Sequence, residues 1–251
     1  MVTKIFHTVN AGLYLCNGRA NVLIDGIHAG NKFGFSLMPD TLVKQMKEQK
    51  GIFSGLDNLL FTHFHEDHYD HEQLKVCMER SRPTIYACDL EESNADSFPV
   101  CENVDAVRMD HVYLLSLHNI HEGEMYKNDI HRSYLLRIGE EIMFIAGDAI
   151  LNGADAELLM KYADHPVSGA FLNPYQIASK NGQDFIRILS PERVFMIHLP
   201  FKEDDIYNVW LLGRNALRVY PDNLPPVEVL QNMSWVDGKM PERIDGKNQV
   251  H

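Results

Sequence analysis

The segment His63-Phe64-His65-Glu66-Asp67-His68-Tyr69-Asp70-His71 places four imidazoles and three carboxylates within nine residues, directly behind the apolar stretch Leu59-Leu60-Phe61-Thr62. Neither charge nor solvation concentrates histidine in this way. Metal binding does, because neutral imidazole and carboxylate are donors that a borderline ion such as Zn²⁺ accepts. On an extended segment alternate residues share a side, so His63 and His65 can grip one ion. Asp67 and His68 follow where the chain is expected to turn, and can face the same cavity from another angle to serve a second ion. A merely solvated histidine-rich turn is the plainer alternative. The context opposes it: strand-like Asp57 to Thr62 leads into the run and helix-like Glu72 to Met78 leads out. Ligands at the mouth of a sheet are where open α/β architectures place their sites.

Composition narrows the remaining possibilities. With 251 residues and 45% hydrophobic content the chain can bury a sizeable core. No Gly/Ser-rich, Pro-rich or low-complexity tract divides it, so one domain over 1–251 is expected. No stretch approaches the roughly 20 apolar residues that span a bilayer. Met1 to His7 has neither the apolar core nor the cleavage site of a signal peptide. A cytoplasmic protein without membrane association is the expectation. The four cysteines, Cys16, Cys77, Cys88 and Cys101, are scattered and form no CxxC pair, which reads as core or surface thiols. A formal net charge of −12 opposes a phosphate backbone, and only the diffuse Lys44, Lys47 and Lys50 helix face is basic. No nucleic-acid partner is expected; a small-molecule substrate is. The sequence does not constrain the oligomeric state.

Strands and helices alternate along the chain. Ala11 to Cys16 and Asn21 to Gly26 read as two strands around the turn dipeptide Asn17-Gly18. Pro39-Asp40-Thr41 opens a helix through Gln49, closed by Gly51. Further strands are expected at Thr84–Cys88, Val112–Leu117, Ser133–Ile138, Glu141–Ala146, Gly169–Leu172 and Arg193–Ile197. Helices are expected at Ala154–Tyr162, Pro174–Leu189 and about Asp204–Leu217.

Three later polar residues stand at strand ends, as the histidine run does: His121 (or His118), Asp148 and His198. If these strands point the same way, their tips meet at one edge. The H-x-H-x-D-H run in its strand-to-helix setting, Leu23-Ile24-Asp25-Gly26, Gly147-Asp148 and His198 together resemble the metallo-β-lactamase superfamily, over about residues 10–200. Asp67-His68 is followed by Tyr69-Asp70 rather than by two small residues. In this the chain looks nearest the ascorbate-phosphate-lactonase-like branch, and unlike a true β-lactamase or glyoxalase II.

The resemblance implies an α/β fold, an αββα four-layer sandwich of two mixed β-sheets flanked by helices. It also implies two divalent metal ions. His63, His65 and a middle histidine would hold one; Asp67, His68 and His198 the other; Asp148 would bridge both. The middle histidine is taken as His121, with His131 and His118 as alternatives. Zinc is the default ion, and manganese or iron also suit the donors. Asp25 is expected to accept a hydrogen bond from a ligand imidazole, Glu66 to be solvated, and Asp70 and His71 to start a helix.

Such a site hydrolyses an ester, lactone or phosphodiester with a water activated by the ions. Asp67 would orient that water and accept its proton, and His131 would protonate the leaving group. Phe33, Phe35, Tyr69, Tyr126, Tyr175, Phe201 and Trp210 are candidate lining residues. Two other functions share the resemblance: an RNA-processing phosphodiesterase, which needs a basic docking arm not found here, and a non-hydrolytic redox or metal-binding member. The diiron oxygen reductases of the superfamily resemble H-x-E-x-D-H, and His65 stands where they have glutamate.

Overall fold

Asn17 and Gly18 turn the chain between two strands, with Gly18 at a φ of 80° that suits glycine. In the computed structural model, which describes residues 2–30, 34–89 and 93–236, this hairpin joins β2 (Leu13–Cys16) to β3 (Asn21–Ile24). It lies within a six-stranded sheet. β1 (Lys4–His7) and β14 (Ser234–Val236) extend it antiparallel on one side. β4 (Asn58–Phe61) and β5 (Thr84–Ala87) extend it parallel on the other. The strand order is β14-β1-β2-β3-β4-β5.

The second sheet has eight strands. β6 (Asp96–Cys101), β7 (Val104–Met109), β8 (Val112–Asn119), β9 (His131–Ile138) and β10 (Glu141–Ile145) form an antiparallel meander. β11 (Val167–Leu172), β12 (Val194–Met196) and β13 (Val227–Val229) add to it in parallel. Both sheets are therefore mixed.

Strand alternation sorts the apolar residues into three layers. Leu13, Leu15, Val22, Ile24 and Leu60 of the first sheet pack on Leu114, Tyr134, Leu136, Ile145 and Phe171 of the second. On its outer face the first sheet presents Leu23, Leu59, Phe61 and Ile85 to α1 (Asp40–Glu48) and α2 (His71–Met78). The outer face of the second sheet carries α3 (Gly153–Met160), α4 (Pro174–Ala178), α5 (Lys180–Leu189) and α6 (Val209–Val219). All four residues of β4 are buried, as a strand between two layers demands. The result is the αββα sandwich expected from the resemblance.

Several local expectations need correction. The expected helix Pro174–Leu189 is two helices, α4 and α5, because Ser179 is extended with ψ 146° and its side chain caps the second helix by accepting from Gly182 N–H at 3.0 Å. A Cβ on Gly182 would lie 1.9 Å from the Gln176 carbonyl oxygen, so this close approach needs glycine. The last helix starts at Val209, not near Asp204. Asp205 accepts from the N–H groups of Val209 and Trp210, and Asn208 is left-handed at φ 58°. Strands β1, β6, β7, β13 and β14 were not anticipated. Asp70 caps α2 by accepting from Gln73 N–H at 2.8 Å, and His71 is its first residue. Among the described residues no helix is long and apolar enough to cross a membrane.

His28, in the segment between β3 and α1, is 1% exposed, and neither ring nitrogen has a hydrogen-bond partner among the described residues. Burial lowers its pKa to about 4, against the partial counter-effect of Asp67. A folded pKa below the unfolded value means stability that is fully present above the unfolded pKa and lost as pH falls through the folded one. Between pH 7 and pH 5 His28 should thus remove on the order of 2 kcal/mol. Urea unfolding at the two pH values should show a smaller loss for His28→Leu than for the parent. Equal losses would mean that this imidazole is not buried in its neutral form.

Candidate metal centre

The chain leaves β3 at Asp25, which is 1% exposed and left-handed at φ 48°. That turn aims its carboxylate at the end of β4. Asp25 accepts from Thr62 N–H at 2.8 Å, from the Thr62 hydroxyl at 2.6 Å, and from His68 Nδ1–H at 2.9 Å. The Thr62 oxygen in turn accepts from His63 Nδ1–H at 3.0 Å. These partners assign the tautomers: both rings carry the proton on Nδ1 and present a bare Nε2 to the cavity. His121 follows the same pattern, giving Nδ1–H to the Glu122 carbonyl at 2.5 Å. His65 is reversed. Its Nε2–H goes to Asp129 at 2.9 Å, which leaves Nδ1 to face inward.

The second sheet brings the other residues to this edge. Asp148 follows β10, His198 follows β12, and His121 forms an isolated bridge with Ala149. Three groups of potential ligand atoms result, each within 4.8 Å of one another: His63, His65 and His121; His63, His68 and Asp148; Asp67, His68 and His198. Asp148 Oδ2 stands between the outer two groups. It lies 3.9 Å from His63 Nε2, 3.8 Å from His121 Nε2, 3.6 Å from His68 Nε2 and 3.4 Å from His198 Nε2.

These separations are mostly long for hydrogen bonds but ordinary for donors around a shared ion. Ligands about 2.0–2.2 Å from a tetrahedral centre are roughly 3.3–3.6 Å apart. The His63–His121 and His68–His198 pairs bring Nε2 atoms to 3.2 and 3.0 Å, and with the proton on Nδ1 of His63, His68 and His121 their lone pairs converge there unless a proton or a cation stands between the rings. A cation between them relieves that repulsion, so the residues present fit divalent metal.

Electrostatics point the same way. Burial opposes ionisation of Asp148, yet His198, His68 and His63 hold it well below the usual carboxylate range. Burial likewise opposes charge on His68, but Asp67, Asp148 and Asp25 hold its pKa well above the ordinary value. His198 is also raised, burial being outweighed by Asp148 and Asp67. The carboxylates therefore demand positive charge at this point. A metal ion meets that demand while leaving imidazole neutral, as ligation requires. His63, further from Asp67, is held well below its usual value by burial and by His68 and His131.

His131 is placed differently from both roles considered for it. Its Nδ1–H donates to Asn119 Oδ1 at 2.7 Å, and its Nε2 accepts from Asp148 N–H at 2.9 Å. Both nitrogens are engaged, and burial lowers the pKa to about 3. The ring is neutral and has no proton to give a leaving group. It holds the backbone of Asp148 instead, and a Cβ on Gly147, at φ 56°, would meet it at 2.7 Å. His118 lies outside the groups, paired with Asp105 at 2.7 Å and with Arg132.

Four residues that sequence reading passed over complete the surroundings. Gln176 Nε2 donates to the carbonyls of Gly147 and Ala149 at 3.0 and 2.9 Å, clamping the Asp148 turn. Asn173 caps α4 and donates to both Glu122 and Asp148, at 3.2 and 3.3 Å. Burial and the Asp148 charge raise Glu122 to about 7. Asp129 orients His65. Asn173-Pro174-Tyr175-Gln176 is legible as a capping box, but its reach to Asp148 is tertiary. Of the expected lining residues, Phe35, Tyr126 and Tyr175 border the cavity over the site, with Tyr207 in addition. Tyr69 packs edge-on against Phe61 and at a tilt against Phe64 instead, and Trp210 donates to Pro200 O. Phe33 lies outside the described residues.

No protein-family profile matches the chain, and no curated protein matches it in sequence. Solved structures do match. A metallo hydrolase from the hyperthermophilic archaeon Ignicoccus hospitalis superposes with a TM-score of 0.63 at 14% identity, over 94% of this chain and 98% of that one. A Zn-dependent hydrolase of the metallo-β-lactamase superfamily from Thermotoga maritima gives 0.50 at 11% identity, over 91% and 98%. CmlA, a diiron β-hydroxylase from Streptomyces venezuelae, gives 0.58 at 12% identity over 93% of this chain, which spans about half, 54%, of CmlA. At such identities the likeness is one of architecture: the chain has the metallo-β-lactamase fold.

Proposed function

We propose that this protein is a metal-dependent hydrolase that cleaves an ester, lactone or phosphodiester bond of a small molecule. The observation that carries the reading is the convergence of His63, His65, His121, Asp67, His68 and His198 on the two sides of Asp148. The first three would hold one divalent ion, the next three a second, and Asp148 both. Zinc is the first choice for this nitrogen and oxygen donor set, with manganese and iron also suited; the diiron neighbour makes metal identity worth measuring. Lactones belong in the substrate panel because of the sequence resemblance noted above. When bound, such ions lower the pKa of a water and take up charge that develops on a carbonyl or phosphoryl oxygen.

The protein's own contribution is orientation and proton handling. Asp25, Thr62, the Glu122 carbonyl and Asp129 fix the tautomers of His68, His63, His121 and His65, so that these four rings offer a lone pair without rotating. Asp67, 5% exposed, has its Oδ2 3.2 Å from His198 Nε2 and is held below its usual pKa despite burial, by His68 and His198. It is ionised at neutral pH and serves to orient the attacking water and accept its proton. His131 and Gln176 hold the turn that carries Asp148.

Elemental analysis of the purified protein should find about two equivalents of transition metal per chain. Chelation should abolish hydrolysis, and metal should restore it. A protein with no metal, taking none up on addition, ends this reading. Asp67→Ala should lower kcat roughly 10²–10⁴-fold with the fold retained by circular dichroism; near-normal kcat would remove Asp67 from the chemistry.

The two central histidines should separate cleanly. His121→Ala should lose about one metal equivalent, as removal of a direct ligand does. His131→Ala should keep both ions and lose roughly 10–100-fold in activity through the displaced Asp148 turn. Metal loss in His131→Ala but not in His121→Ala would exchange their assignments.

A further inference from the structure

Resting on the hydrolase reading, we infer that the cavity over Asp148 takes an uncharged ester or lactone bearing an apolar, ring-containing group, in preference to a phosphodiester. The cavity has a volume of about 480 Å³, within the range that encloses a small organic molecule. Each donor group has an aromatic wall of its own. Tyr126 packs its ring 4.8 Å from that of His65 and 5.2 Å from that of His121. On the other side Phe35 stands edge-on to His198 at 4.3 Å. Tyr175 and Tyr207 border the same cavity and are 56% and 61% exposed. Large rings left in water around a concave site are surface that a ligand can cover.

The charges of the wall point in the same direction. Asp67, Asp148 and Glu122 border the cavity, and no lysine or arginine does so among the described residues. Asp67 and Asp148 face the ions. Glu122, bound by Asn173 at 3.2 Å, faces the substrate space as a carboxyl group. A phosphodiester carries one negative charge shared by two non-bridging oxygens, and a site built for it supplies cationic side chains to the oxygen that the ions would not take. Here that oxygen would meet rings and a carboxyl group. A neutral ester or lactone would offer its carbonyl oxygen to the ions and leave an uncharged alkoxy oxygen and apolar surface for the wall. In its hydrolysis the oxygen of water joins the acyl carbon and the acyl C–O bond breaks. One proton ends on the released alcohol and the other leaves the product acid.

Binding separates this inference from intrinsic reactivity. Titration calorimetry on the metal-loaded protein should show 4-nitroacetanilide, a neutral aryl amide, binding more tightly than diphenyl phosphate. Tyr175→Ala and Tyr207→Ala should each weaken the amide roughly 3- to 10-fold. Tyr175→Phe should restore binding, because the ring rather than the hydroxyl makes the contact. With 4-nitrophenyl phenylacetate the same Ala variants should raise KM by a similar factor, with little change in kcat. Tighter binding of diphenyl phosphate, or unchanged amide binding in both Ala variants, overturns the substrate inference while metal-dependent hydrolysis stands. Absence of metal-dependent hydrolysis of any ester, lactone or phosphodiester overturns the hydrolase reading itself, and this inference with it.

Discussion

Asp148 Oδ2 lies within 3.9 Å of four imidazole nitrogens that come from both sheets. A carboxylate withdrawn from water costs several kcal/mol unless positive charge meets it, and among the described residues no lysine or arginine forms an ion pair with Asp148. The compensation has to come from protonated histidines or from cations. One proton can be shared within each close Nε2 pair, but protonating both rings of a pair sets two N–H groups against each other, because the Nδ1–H groups of His63, His68 and His121 already serve fixed acceptors. The arrangement is satisfied when ions sit between the rings. The edge of the sandwich and the chemistry at that edge thus share one electrostatic condition.

Much of the surrounding structure serves that condition. Asp25 ties the end of β3 to Thr62, just past β4, through two hydrogen bonds, and a third sets the tautomer of His68. His131, Gln176 and Asn173 hold the Asp148 turn from three elements: the start of β9, helix α4 and its cap. Removing any of these leaves every ligand type present. Removing His131, Gln176 or Asn173 loosens Asp148 relative to His63 and His68, which Thr62 and Asp25 hold independently.

The local part of this was legible in the sequence. Residues His63 to His68 form a site segment because strand alternation and a following turn are short-range rules. The Asn17-Gly18 hairpin and the cap at Asp70 follow from single-residue preferences. What escaped depends on distant partners. β6, with Pro99 and a largely exposed face, carries little apolar pattern, and β13 and β14 are three residues each. The break at Ser179 arises because α5 is capped there while Gly182 approaches the Gln176 carbonyl. His131 could be read as ligand or acid because a histidine near a strand start is compatible with both. Only the backbone N–H of Asp148, seventeen residues away, shows that its nitrogens are spent.

The division of labour between strand ends and loops follows from the same geometry. The donors sit at or near strand ends that pairing and two buried layers hold rigidly. The cavity walls come from segments with weaker constraints: Glu122 and Tyr126 between β8 and β9, Phe35 between β3 and α1, and Tyr207 just before α6. Substitution in those segments can change which molecule fits without moving a ligand atom, since the imidazoles are oriented mainly by Asp25, Thr62 and local backbone. Beside the ring contacts of Tyr126 with His65 and His121 and of Phe35 with His198, two polar contacts cross the divide. Asp129, on the same loop as Tyr126, orients His65, and Glu122 shares Asn173 with Asp148. The loop between β8 and β9 is therefore the place where a change of wall would be felt at the metal centre, and where substrate shape and ion geometry are coupled.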